Sequence, residues 1–289
     1  MIQSLTLIGV GLIGGSFALD LKRKGLVQHV YGVDIDAANL ERAIERRVID
    51  EGFTEINATA ASADVVVLAT PVRAIHKVIQ ALAPLLGPNT IVTDVGSTKR
   101  TIIHAYETYL PAHLPLCVAA HPIAGSDRSG ALAAQFGLFQ QKKVVLCAHD
   151  QQNPSAYGTL KHLWTSVGAV VHELDAHTHD QIFAAVSHLP HLLAYAFVNQ
   201  IAQADQADAY FDFAASGFRD FTRIASSQPD IWADITMANQ DLLLTLIEAQ
   251  QQQLSQLHQL IAKKDAQALR QYYAQAKKAR DDWQDHQPS

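Results

Sequence analysis

The chain has 289 residues, 48% of them hydrophobic and 17% charged, with a formal net charge of −6 at neutral pH. That length suffices for two domains with a core each, and the acidic balance argues against nucleic acid, which demands a basic stripe. No apolar run reaches the roughly 18–20 residues of a membrane span, and an anionic ligand would have to be met by locally clustered cations.

Leu5–Val10 runs straight into glycines with no basic stretch before it, so it reads as a first strand rather than a signal peptide. Further strand-like runs follow at Val30–Asp34, Val65–Ala69, Thr90–Asp94, Leu116–Ala120, Lys143–Ala148 and Ala169–Glu173, with helical patterns between them. Such runs suit a sheet buried on both faces, its parallel strands joined by right-handed helical crossovers. Residues 1–174 are expected to form a doubly wound α/β domain. Cys117 and Cys147 fall in two of these runs and read as buried free thiols, which fits a reducing cytoplasm.

After about Asp175 the strand signals stop. Ile182, Phe183, Val186, Leu189, Leu193 and Ala196 recur at helical spacing from near His177, and Pro190 is expected to kink that helix. His172, His177 and His179 lie in a polar connection and read as surface residues. A second helix is expected over about Gly217–Ser226. A third should start at Asp230, after Pro229, and run to about Ala262, on the order of 50 Å. A last one covers Asp265–Trp283. The long helix carries Ile231, Ile235, Leu242, Leu246, Leu254, Leu257 and Ile261, a stripe that needs a partner along its length. Residues 175–289 are therefore expected to be an all-helical domain that packs against a second copy of itself.

The first strand ends in Gly9-Val10-Gly11-Leu12-Ile13-Gly14, and a helix follows from near Ser16. This is the Rossmann-type fingerprint: Gly9 allows the turn, Gly11 admits a pyrophosphate, and Gly14 lets helix and strand approach. The phosphates would sit on the helix N-terminus, with the backbone of Leu12 and Ile13 at hand. Asp34 ends the second strand twenty residues beyond Gly14. A carboxylate there accepts from ribose hydroxyls and repels a 2′-phosphate, so NAD is expected over NADP. Thr70-Pro71 and Gly96 follow later strands and would line the same edge.

His121 follows the run Leu116–Ala120 and precedes a polar loop that contains Gly125, Ser126, Asp127 and Gly130. An imidazole at such an edge can exchange a proton near neutral pH. Ser97, in Asp94-Val95-Gly96-Ser97-Thr98-Lys99, follows a neighbouring strand; helix capping is its other reading. His188 and His191 share a helix face, a spacing that could also ligate a metal, but no matching carboxylate or cysteine set accompanies them. No metal is expected. Arg219 and Arg223, four apart, read either as solvated surface or as two guanidiniums for a carboxylate-bearing ligand.

Taken together, these motifs resemble the prephenate/arogenate dehydrogenases of tyrosine biosynthesis, over nearly the whole chain. The resemblance implies that His121 accepts from the substrate's ring hydroxyl, with Ser97 in support. It implies that His191 meets the side-chain end of the substrate, with His188 behind it, and that Arg223 binds the ring carboxylate. Ser126, Ser227 and Trp232 match pocket positions. Asp127, Arg219 and Asp220 match a charged set that gates the site, partly across a dimer interface. The expected activity is NAD-dependent oxidative decarboxylation of prephenate to 4-hydroxyphenylpyruvate by a cytoplasmic homodimer. Its rivals are an arogenate or dual-substrate cyclohexadienyl dehydrogenase, another two-domain NAD(P)-dependent dehydrogenase, and a non-catalytic nucleotide-binding protein. The sequence past the last helix leaves no length for an appended regulatory domain, so any feedback by tyrosine is expected to act at the active site.

Overall fold

The computed structural model describes residues 1–124 and 130–286. The strands are β1 (Ile2–Ile8), β2 (Val27–Val33), β3 (Glu51–Phe53), β4 (Val65–Leu68), β5 (Ile91–Asp94), β6 (Cys117–Pro122), β7 (Lys143–Cys147) and β8 (Val170–Leu174). Among the described residues they form one sheet in the order β3-β2-β1-β4-β5-β6-β7-β8. Helices α1 (Leu12–Arg23), α2 (Ala37–Glu45), α3 (Ala58–Ala61), α4 (Ile75–Leu82), α5 (Arg100–Tyr109) and α6 (Pro154–Ser166) connect them.

Side-chain alternation divides the core in two. Leu5, Leu7, Val65, Val67, Val118 and Ala120 pack with Phe17 of α1 and Trp164 of α6. Ile8, Val66, Leu68, Cys117 and Ala119 pack with Ile79 of α4 and Tyr106 of α5. The central strands thus bury both faces, as their unbroken Val/Ile/Leu runs require, whereas edge strands β3 and β8 are partly exposed. His121, two residues beyond Ala119, points to the α4–α5 side.

Two features depart from expectation. β3 is a three-residue edge strand whose Glu-Gly-Phe sequence carries no strand signal. β7 is antiparallel to β6, with Ala120 opposite Leu146 and His121 opposite Val145. The parallel crossover expected there needs a helix of some length, and among the described residues of this link only the short 3₁₀ turn Ala131–Ala133 is helical.

From Ala176 the chain is helical: α7 (Ala176–Phe183), a π turn (Ala184–His188), α8 (Leu189–Ala202), α9 (Ala207–Asp212), α10 (Ser216–Thr222), a 3₁₀ turn (Arg223–Ser226) and α11 (Pro229–Ala238). The π turn stands directly before Pro190, which lacks the amide for the preceding α-helical bond. By length and composition the run 176–202, mean hydropathy 1.3, could cross a membrane. It nevertheless carries His179, Asp180 and His188 buried and hydrogen-bonded within the protein.

The long helix expected from Asp230 to Ala262 is broken at Asn239, between α11 and α12 (Gln240–Ala262). Asn239 is fully buried and its side chain bonds other helices, so the chain turns there to deliver it. Contacts divide the chain into two compact units, Met1–Gln240 and Asp241–Ser289. The first therefore holds the sheet together with α7 to α11. In the second, α12 and α13 (Ala266–Asp285) are joined through Lys264 in the left-handed region, and Tyr272 donates to Gln253 at 2.9 Å.

Candidate active site

The parallel strands β1 to β6 end on one edge of the sheet, and two groups of residues collect there. The first surrounds the glycine turn. Gly9 has φ +92°, and a Cβ there would lie 2.6 Å from the Ala69 carbonyl oxygen, so both backbone and space demand glycine. At Gly14 a Cβ would press on Ala69 at 3.1 Å, whereas one on Gly11 would meet nothing within 4 Å. Space is thus left open over the start of α1, a helix with no side-chain cap and no acidic residue in its first turn. That donor set fits a pyrophosphate.

Asp34 accepts from the Val10 amide and the Asn39 side chain, both at 3.0 Å, and from the Asp36 amide at 3.0 Å. A carboxylate has about four acceptor sites, so three are used to hold the turn and room remains for a ribose hydroxyl. Buried Asn39 also donates to the Val10 carbonyl at 2.8 Å and accepts from Ala131 at 2.9 Å. It braces the turn, a role the sequence reading did not give it. Thr70 closes the neighbouring strand with its hydroxyl enclosed and without a partner. Exposed Pro71 follows it, and Gly96 donates its amide to Asp94 at 2.8 Å.

The second group is a chain of three side chains. His121 Nδ1 lies 2.8 Å from His179 Nε2, and His179 Nδ1 lies 2.8 Å from Asp180 Oδ1. Asp180 also accepts from the amides of Lys99 (2.7 Å) and Arg100 (3.0 Å) and from Arg100 Nε (3.1 Å). Burial pushes its carboxyl up, but the hydrogen bonds from His179 and the two amides outweigh that and hold it below the usual range. An ionised Asp180 can only accept, so His179 Nδ1 carries the proton and its Nε2 accepts from His121 Nδ1. His121 is left with an unprotonated Nε2. Burial first, then the nearness of His179, Lys99 and His188, holds the His121 imidazole well below its ordinary value. The arrangement delivers a neutral base in one tautomer.

His179 is fully buried, which overturns its reading as a surface residue. A signal was available: it lies four residues before Phe183 on one helix face, and both rings pack on His121, at 5.0 and 4.8 Å. Ser97 stands half-buried after β5 on the same edge, with no hydrogen-bond partner among the described residues.

Around α8 and α11, His191 stacks on Trp232 with centroids 3.5 Å apart, and its Nδ1 donates to the Ser187 carbonyl at 2.8 Å. Its Nε2 is thereby kept available. Burial lowers the His191 imidazole, the bond to Ser187 opposes that, and the charge of Arg223 adds to the lowering. His188 is buried, accepts from Asn239 at 3.3 Å, and is pushed down to about 4 by burial. It is a neutral internal residue. Ser227 presents its carbonyl to the Tyr195 hydroxyl at 2.7 Å. Arg219, Asp220 and Arg223 are exposed, while Ser126 and Asp127 lie outside the described residues. Among the described residues no group of three or more potential metal ligands occurs.

Residues 17–173 match the model of the prephenate dehydrogenase nucleotide-binding domain, and residues 175–275 that of the prephenate dehydrogenase dimerization domain. The chain belongs to the prephenate dehydrogenase family. It is 32% identical to the prephenate dehydrogenase of Bacillus subtilis (strain 168) over 283 residues, 97% of this chain and 76% of that protein. The cyclohexadienyl dehydrogenase of Zymomonas mobilis is 31% identical over 280 residues, 96% of this chain and 95% of that one. The crystal structure of prephenate dehydrogenase from A. aeolicus in complex with hydroxyphenyl propionate and NAD+ superposes with a TM-score of 0.91 at 34% identity, covering 98% of each chain. The protein is thus an oxidoreductase with a nucleotide-binding domain. Relatives named as a prephenate dehydrogenase and as a cyclohexadienyl dehydrogenase are almost equally similar to it, so membership does not choose between their substrates.

In this prephenate dehydrogenase family member, the buried histidines also set the response to acid. His188 falls from 6.5 to about 4 on folding, so between those values the unfolded chain holds the extra proton. Stability is full above pH 6.5 and is lost as pH falls toward 4, by on the order of 3 kcal/mol from this residue. Urea titrations across pH 4–7 should show that slope, and His188→Gln should make it shallower, since His121 and His179 are lowered too. An unchanged slope in the variant would mean that His188 is not buried neutral.

Proposed function

We propose that the protein is an NAD-dependent prephenate dehydrogenase that forms 4-hydroxyphenylpyruvate by oxidative decarboxylation. The observation that carries this reading is the His121–His179–Asp180 chain, which leaves a single-tautomer base at the end of β6. His121 Nε2 takes the proton of the ring hydroxyl as the carbon bearing it is oxidised. Bound NAD supplies the hydride acceptor, held by the Gly9–Gly14 turn and Asp34. The oxidised ring is a vinylogous β-keto acid, and aromatisation drives the loss of carbon dioxide without a further base or a metal. His191 meets the side-chain end of the substrate beside Trp232, and Arg223 pairs with the ring carboxylate. Ser97 supports the hydroxyl contact.

An assay that follows NADH with prephenate and with arogenate tests the reading. Turnover with neither substrate overturns it. Likeness to a cyclohexadienyl dehydrogenase favours a second reading in which both substrates are used. Residues 1–174 then carry the nucleotide and 175–289 the substrate pocket and a homodimer interface. Exposed Val186, Phe213 and Met237 supply apolar surface for that interface. Buried free Cys117 and Cys147 fit the cytoplasm.

Asp34→Ser is expected to weaken NAD and to improve NADP relative to it, because the repelling carboxylate and its ribose contact both go. The same change loosens the Val10 amide, so NAD should lose more than NADP gains. Wild-type preference for NADP would overturn the role of Asp34. Arg223→Ala should raise KM for prephenate by roughly 30-fold or more while KM for NAD stays put, the lower range for stripping one partner from a charge pair. An unmoved prephenate KM would leave Arg223 as solvated surface.

A further inference from the structure

Lys99 is fully enclosed, with none of its side chain exposed to solvent. A lysine is almost never buried that far unless it is paired. Its ammonium pairs with Asp94 and donates to the Ala120 carbonyl at 2.7 Å. The other oxygen of Asp94 accepts from the Ala120 amide at 3.1 Å. Both backbone groups of the residue just before His121 therefore end on this ion pair. The reason lies in the sheet. β5 and β6 are in register only at Val92–Cys117 and Thr93–Val118. Beyond Thr93 the ladder stops, and Ala120 would face β5 with its amide and carbonyl unmet. Lys99 also works from its backbone, since its amide is one of those that hold Asp180.

We propose that Lys99 is a positioning residue for catalysis: with Asp94 it replaces the missing β5–β6 rungs, and so fixes where β6 holds His121 relative to Asp180. The proposal rests on the reading of His121 as the base. One residue thereby grips both ends of the three-residue chain, the strand by its ammonium and the carboxylate by its amide. The groups that face His121 are His179 and Phe183 from α7, His188 from the π turn, and Lys99 itself, while β7 offers Val145 opposite. Lys99 is the one lasting positive charge among them.

The test uses the full chain with Lys99→Met combined with Asp94→Asn, which removes the pair without stranding a buried charge. The folded double variant should bind NAD as wild type does and lose about 100-fold in kcat, the effect of a base displaced by an ångström or so. In ¹⁵N-histidine-labelled protein the His121 titration should move to higher pH, because a facing cation has gone, while that of His191 stays. Wild-type kcat with an unmoved His121 titration overturns the proposal. If the double variant does not fold, Lys99→Arg serves: it keeps the charge beside Asp94 but not the ammonium's geometry at the Ala120 carbonyl, so kcat should fall while NAD binding stays; wild-type kcat there overturns the proposal equally. The titration is read without substrate, so an enzyme inert toward prephenate and arogenate would sink the proposed function and still decide the role of Lys99.

Discussion

His121→Asn is expected to cut kcat by about two to four decades and to leave NAD binding intact, the span of a positioned acid–base group. The geometry explains the separation. The imidazole belongs to β6 and is tied to His179, whereas the contacts proposed for the nucleotide gather around Gly9, Gly14 and Asp34. An asparagine side chain can still accept a hydrogen bond from His179 or donate one to it, so the fold should survive. It cannot take up a proton at neutral pH. Stopped-flow turnover beside fluorescence titration of NADH makes the comparison, and near-normal turnover would remove His121 from the mechanism.

Asp180→Asn should be nearly as damaging, although Asp180 is fully buried behind His179. Every group around the carboxylate is a donor: the amides of Lys99 and Arg100, Arg100 Nε and His179 Nδ1. An amide in its place must offer a proton to one of them. The partner able to yield is His179, whose ring would take the other tautomer and turn Nε2 into a donor. His121 Nδ1 would then accept, and its Nε2 would carry a proton where the reaction needs a lone pair. Loss of a tautomer-setting carboxylate behind a histidine costs up to about four decades in kcat in the best-studied triad. The loss should exceed any change in KM. Nitrogen NMR of labelled histidines would report the tautomer directly, and an unchanged His121 tautomer with unchanged kcat would sink the relay.

The legible parts of the sequence were those in which one segment settles its own environment. Strands such as Val65–Leu68 are apolar on both faces and could only be central. The glycine turn declares itself because Gly9 and Gly14 each answer a local need, the one of backbone and the other of space. Motifs singled out His121 and His191 as candidates, and the structure seats both in packed, hydrogen-bonded settings. What escaped depends on partners far along the chain. His179 looks polar and exposed among Ala176–Asp180 until β6, 58 residues earlier, closes over it. Asn239 interrupts an apolar stripe that is continuous in the sequence, because Arg100 and His188 need an amide there. The reversed direction of β7 is equally silent, since a strand's residues do not say which way its neighbour runs.

The π turn at Ala184–His188 has an evolutionary side. A π turn completes one turn of helix with one residue more than an α turn. The extra residue is absorbed within the turn, and α8 leaves it with the heading that stacks His191 on Trp232. Losing one residue among Ala184, Ala185 and Val186 would close the segment as an ordinary α turn of the same sweep, and that heading should survive. Losing a second would swing the ring by about 100°, away from its stacking partner. The segment ahead of His191 should therefore tolerate a shortening by one residue and not by two.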